Sequence, residues 1–126
     1  MTNAVHPVHR TLYTGALRQA RQISDRIADA TSKPDEMPHD ARYFITADFR
    51  SGFGIDAEGA LIGLFSLEKG RGTELVRASL REGASKLDCF DGFLPEYYRQ
   101  FGFTETERLP NWTPGGPDVV FMTLSH

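Results

Sequence analysis

At 126 residues the chain can bury one core but not two independent ones. Its composition, 40% hydrophobic and 25% charged with nine Phe and four Tyr, excludes a disordered or fibrous class. Fourteen basic and 17 acidic side chains leave a net charge of -3, and no basic half exists to hold nucleic acid by charge.

Cys89 is the single cysteine, so neither an intramolecular disulfide nor a Cys-x-x-Cys zinc site can form. Met1 to Arg10 lacks the apolar core of a signal peptide, and the longest apolar run, Ala60 to Phe65, is far below membrane-spanning length. The expectation is a cytoplasmic protein with no membrane association.

From Leu12 to Ala30 the small or apolar residues Tyr13, Ala16, Leu17, Ala20, Ile23, Ile27 and Ala30 recur at the spacing of one helical face. This predicts a single helix, ended by the loop Thr31 to Asp40, where Pro34 and Pro38 remove backbone donors. Arg42 to Phe49 is rich in strand formers. Phe53 to Ile55 and Ala60 to Leu67 read as an antiparallel hairpin closed by Asp56-Ala57-Glu58-Gly59. A second helix is expected from about Gly72 to Glu82, with Leu75, Val76, Ser79 and Leu80 on its apolar face and Gly83 as its stop. Lys86 to Asp91 reads as a strand, Leu94 to Phe101 as a helix, and Phe103 to Leu109 and Val119 to Leu124 as strands, the last two separated by the turn-rich Pro110 to Pro117. Alternation of this kind gives an α+β chain with a mixed sheet and helices packed on it.

Two stretches carry chemistry. In Leu64-Phe65-Ser66-Leu67-Glu68-Lys69-Gly70-Arg71-Gly72-Thr73 a strand enters a Gly-x-Gly turn and opens a helix. The free N–H groups and positive dipole end of that helix suit a pyrophosphate, with Lys69 and Arg71 as mobile charge. A tight turn with exposed charges has the same sequence, because neither a Walker A loop nor a dinucleotide fingerprint is present. The second stretch, Leu87 to Phe103, holds Asp91, Tyr97, Tyr98 and Gly102-Phe103. Helical spacing alone reads Tyr98 as a core aromatic. Glu68 reads as a solvated charge or a base, Asp91 as a cap or a base, and Cys89 as a small buried hydrophobe. Trp112 suits a pocket wall or a cap on the sheet edge. His6-x-x-His9 and His39 lack a rigid helical scaffold for a metal, and none is expected.

Together the two stretches resemble the GNAT superfamily of acetyl-CoA-dependent N-acetyltransferases, in which a strand leads to a Gly-x-Gly pyrophosphate loop and a later helix bears Tyr-x-x-x-Gly-Phe. Tyr98 with Gly102-Phe103 fits that second pattern. The resemblance covers roughly Ser51 to His126. It looks closest to small acetyltransferase-like proteins encoded by phages, which share Lys-Leu-Asp-Cys-Phe-Asp-Gly and Pro-Asp-Val-Val-Phe-Met, present here at Lys86 to Gly92 and Pro117 to Met122. It implies one GNAT-like domain over 1–126, with an N-terminal helix and loop at 1–40 in place of the usual first strand and helix pair. A mostly antiparallel sheet core at 41–126 then carries the CoA-type loop.

Acetyl-CoA is then the implied acyl donor, held by Phe65, Ser66, Lys69, Gly70, Arg71, Gly72 and Thr73. Tyr98 is the implied acid toward the departing sulfur, Glu68 and Asp91 are candidate bases, and the acceptor is an amine on a small molecule or a protein. A homodimer fits the superfamily habit. Three positions depart from the pattern: Asp91 stands where many members have Asn, Leu67 stands where the loop usually has Gln or Arg, and the loop before Gly70 is short. These departures, with the altered N-terminus, also suit a GNAT-fold protein that has lost catalysis and serves as a binding module. Modification of nucleic-acid bases is a third class, and the net charge opposes it.

Overall fold

The structure, a computed structural model, describes residues 4–124. Two compact units divide the chain, Met1–Ala84 and Ser85–His126.

The first unit begins with a strand that the sequence does not announce, β1 (Val5–Val8), which pairs antiparallel with β2 (Arg42–Thr46). Pro7 lacks a donor for a ladder, and β1 tolerates it because it is the outer strand of the order β1-β2-β3-β4. The expected replacement of the first strand and helix pair is therefore incorrect: β1 is followed by α1 (Arg10–Ile23) and α2 (Asp25–Ala30). The single helix expected over 12–30 is broken at Ser24. The backbone of Ser24 is extended, and its hydroxyl caps α2 by accepting from the Ile27 N–H at 3.3 Å. Arg21 closes the other end of α2 through the Ala28 and Thr31 carbonyls at 3.0 and 2.6 Å. The break turns Ile23 off the apolar face, and it is 60% exposed. Within the expected loop, Pro34–Glu36 forms one 3-10 turn.

β2 stops at Thr46, earlier than the expected Phe49, because the chain turns at residues 47–50 with Phe49 left-handed at φ +61°. β3 (Ser51–Ile55) and β4 (Leu61–Ser66) form the expected antiparallel hairpin. Asp56 builds its turn by accepting from the Glu58 and Ala60 N–H groups, both at 2.9 Å. The β3–β4 register slips by one. Gly52 faces Phe65 and Gly54 faces Ile62, so Gly63 and Leu64 together oppose Phe53 in a bulge, with Gly63 at φ +55°. α1 lays Tyr13, Leu17 and Ala20 on Tyr43, Ile45 and Phe65, while α3 (Gly72–Arg81) packs against β3 and β4. α3 ends at Arg81, and Gly83 just beyond its cap is the stop the sequence suggests: φ is +101°, and the following Ala84 N–H bonds to the Ser79 carbonyl.

The second unit is an antiparallel sheet of order β5-β7-β6, from β5 (Lys86–Phe90), β6 (Phe103–Leu109) and β7 (Val119–Leu124). α4 (Phe93–Arg99) packs against β5 and β6, close to the expected 94–101. Leu87, Pro95, Phe103, Val119, Val120 and Met122 are buried in this unit. No helix among the described residues is long and apolar enough to cross a membrane.

Candidate functional site

In the first unit β4 is an outer strand, and its C-terminal end leads through residues 67–71 into α3. Gly70 adopts φ +83°, a conformation that favours glycine, and a side chain built there would meet nothing within 4 Å, so the space over the turn is open. Arg71 precedes α3 with no side-chain capping bond, and the first helical hydrogen bond runs from the Leu75 N–H to the Arg71 carbonyl at 2.9 Å. The N–H groups before Leu75 lie outside the helical ladder, at the positive end of a ten-residue helix. This is the arrangement that receives phosphate oxygens.

The turn is braced by the β2–β3 connection. Arg71 reaches Asp48 with two nitrogens, at 2.8 and 3.2 Å, and also donates to the Ser51 hydroxyl at 3.1 Å. Asp48 accepts in addition from the Thr46 hydroxyl at 2.6 Å and the Arg50 N–H at 3.0 Å. Arg71 lowers the Asp48 carboxyl well below the usual carboxylate range, with help from the hydroxyl and the N–H. The Arg71 side chain is only 14% exposed, so its charge is fixed rather than mobile as the sequence suggested. Lys69 is exposed and has no ion-pair partner among the described residues.

Glu68 is paired with Arg50 at 2.5 Å, and the Leu67 N–H donates to the Arg50 carbonyl at 2.8 Å. Ser66 is bound within the turn, accepting from the Glu68 N–H at 3.1 Å and lying 2.9 Å from the Ser51 hydroxyl. The Phe65 side chain is buried under α1 in T-shaped contact with Tyr13. Only the backbone of Phe65 is therefore presented at the strand. Asp48, Arg50 and Ser51 escaped the sequence reading because their link to residues 66–71 arises only once β3 and β4 pair.

In the second unit Tyr98 stands on α4, its ring in T-shaped contact with Tyr97 and Phe103. Its hydroxyl makes no hydrogen bond among the described residues. Burial first, then nearby Cys89 and Tyr97, push its ionisation above the ordinary phenol range, so the proton is retained. Cys89 is partly buried, and burial, with Asp88, Asp91 and Glu105 nearby, pushes its thiol up to about 11, which opposes any nucleophilic role.

Asp91 accepts from Arg108 at 2.6 Å and from the Gly92 N–H at 3.0 Å, and these two bonds, Arg108 first, keep its carboxyl below the usual range. Arg108 also holds Glu105 at 2.9 Å and Asp118 at 3.5 Å. Asp91 and Tyr98 share no hydrogen bond. Trp112 is 90% exposed, on a loop shaped by Asn111, whose side chain binds the Thr113 N–H at 2.8 Å and the Pro117 carbonyl at 2.9 Å. His9 caps α1 by accepting from the Thr11 N–H at 3.2 Å.

No family model matches the chain, and no curated protein does. Among solved structures it is similar to an acyl-CoA N-acyltransferase from Pseudomonas aeruginosa, with a TM-score of 0.71 at 14% identity over 98% of this chain and 100% of that one. It is also similar to Ard1 from Thermoplasma volcanium, with a TM-score of 0.54 at 16% identity over 98% of each chain. The architecture is the expected α+β, GNAT-like fold with helices on antiparallel sheet; where the sequence suggested one mixed sheet, the described strands form two sheets, and every pairing among them is antiparallel.

Proposed function

We propose that the chain is an acyl-CoA-dependent N-acyltransferase that takes acetyl-CoA as donor and passes its acyl group directly to an amine. The observation that carries this reading is the uncapped start of α3 at Gly70-Arg71-Gly72, with open space above it, in a fold shared over almost the whole chain with an acyl-CoA N-acyltransferase. The N–H groups of Arg71, Gly72 and Thr73 receive the donor's diphosphate, and Lys69 adds unpaired charge beside it. The Arg71 guanidinium, committed to Asp48, shapes the turn instead of clamping the ligand. Phe65 and Ser66 contribute main chain along the outer edge of β4.

When bound, acetyl-CoA supplies an electrophilic thioester. The new C–N bond forms as the C–S bond breaks. Tyr98 gives its phenolic proton to the departing sulfur, and its raised ionisation keeps that proton in place at neutral pH. Glu68 or Asp91 takes the proton that the amine must lose, directly or through a water. Arg108 weakens Asp91 as a base. The acceptor is an amine on a small molecule or a protein side chain. A homodimer, a phage-type origin and a cytoplasmic setting complete the reading, the last two resting on the sequence stretches and the lone Cys89 quoted above.

The test is release of free CoA thiol from acetyl-CoA in the presence of a panel of primary amines, with the acylated product identified by mass. Amine-dependent thiol release is expected. Tight acetyl-CoA binding without transfer to any amine would instead favour a non-catalytic binding module, a reading favoured by Leu67 in the loop and by the pairing of Arg71 with Asp48.

A further inference from the structure

β4 bends at its bulge, and a tyrosine from α1 is bonded to that point. Tyr13 is fully buried, stacks on Tyr43 with ring centroids 4.5 Å apart, and donates its hydroxyl proton to the Gly63 carbonyl at 2.5 Å. Gly63 is left-handed at φ +55°, and a Cβ there would lie 2.1 Å from the Tyr13 hydroxyl oxygen and 2.8 Å from the Met37 methyl. The hydroxyl occupies the place a side chain at 63 would take, so Tyr13 requires glycine at 63. Beyond the bulge, Phe65 enters the Tyr13 cluster and Ser66 meets Ser51. A slip by one residue would exchange those two positions and draw the following turn along the strand by about 3.3 Å.

We infer that the Tyr13 hydroxyl is a positioning group: by holding the Gly63 carbonyl it sets the phase of β4 beyond the bulge, and through β4 the place of the Gly70-Arg71-Gly72 turn. Its consequence for a ligand rests on the acyl-CoA reading above. Nothing else in the sequence marks Tyr13 out from an ordinary core aromatic, because the bond spans 50 residues.

The experiment compares the full chain with Tyr13→Phe, which keeps the ring and its stacking and removes only the hydroxyl. Two readouts are taken: calorimetric titration with desulfo-CoA and site-resolved amide hydrogen exchange. The variant is expected to bind desulfo-CoA more weakly, by up to about fivefold, the most that one ordinary hydrogen bond can withdraw from the binding-competent register. Its Leu64 to Leu67 amides are expected to exchange faster while those of β2 stay unchanged. Lower thermal stability with unchanged affinity and unchanged exchange at Leu64 to Leu67 would mean that the hydroxyl only stabilises the core, and would overturn the inference. If the parent protein itself fails to bind desulfo-CoA, the acyl-CoA reading falls separately. The exchange data then decide: faster exchange confined to Leu64 to Leu67 upholds the role of Tyr13 on β4, and unaltered exchange overturns it.

Discussion

The Arg71 guanidinium lies against both oxygens of Asp48, so the charge nearest the Gly70–Gly72 turn is engaged before any ligand arrives. Asp48 is ionised more easily in the folded than in the unfolded chain, because Arg71 favours its charged form. The resulting stability is fully present above the unfolded carboxylate value, near pH 4, and is lost progressively as pH falls below it. Asp48→Asn should therefore lower the urea midpoint at pH 7, and the gap to the parent should narrow below pH 4; a gap that stays constant with pH would show that the pair is not linked to folding. Two further substitutions address the chemistry. Gly72→Glu places a carboxylate where a diphosphate is to sit and should abolish CoA binding, measured by calorimetry; unchanged affinity would remove the turn from the site. Tyr98→Phe should bind CoA normally and transfer about 10² to 10⁴-fold more slowly, and full turnover would clear Tyr98 of the acid role.

Individual elements differ in how plainly the sequence announces them. The β3–β4 hairpin and the end of α3 were legible because Asp56, Gly59 and Gly83 impose local geometry, and the structure contains the bonds they imply. β1 was not, since four residues with a central proline become a strand only through pairing with β2. The continuous helical pattern over Tyr13 to Ala30 concealed Ser24, whose preference for capping outweighs one further turn of helix. Ser24→Ala should accordingly cost about 1 kcal/mol, read from denaturant midpoints. An unaltered midpoint would mean that Arg21 alone holds α2.

At the scale of the molecule, the second unit carries three basic and six acidic side chains, whereas the first is balanced, so the whole net charge of -3 lies after residue 84. Charge of this sign opposes the approach of nucleic acid to the unit that bears Tyr98. Each unit also holds a phenol with raised ionisation, the fully buried Tyr13 and the partly buried Tyr98, both mainly by desolvation. Both bind their protons more tightly when folded, so stability is fully present below the unfolded phenol value and falls as pH rises above about 10. Unfolding midpoints measured from pH 8 to 11 should fall gently once the Cys89 thiol ionises in the unfolded chain, at about 8.5, and more steeply above about 10; a level profile through pH 11 would contradict the burial of these groups.

The candidate site was partly readable in the sequence, because glycine spacing and the Tyr98-x-x-x-Gly102-Phe103 pattern are local. The bracing of Arg71 by Asp48 was not, because it joins residues 23 apart through a hairpin. The most direct test is calorimetric titration of the parent protein with acetyl-CoA, desulfo-CoA and pantetheine. Recognition of a diphosphate by the start of α3 predicts micromolar binding of acetyl-CoA and desulfo-CoA alike, with pantetheine far weaker. Pantetheine binding as tightly as acetyl-CoA, or no binding of any of the three to folded protein, would contradict it.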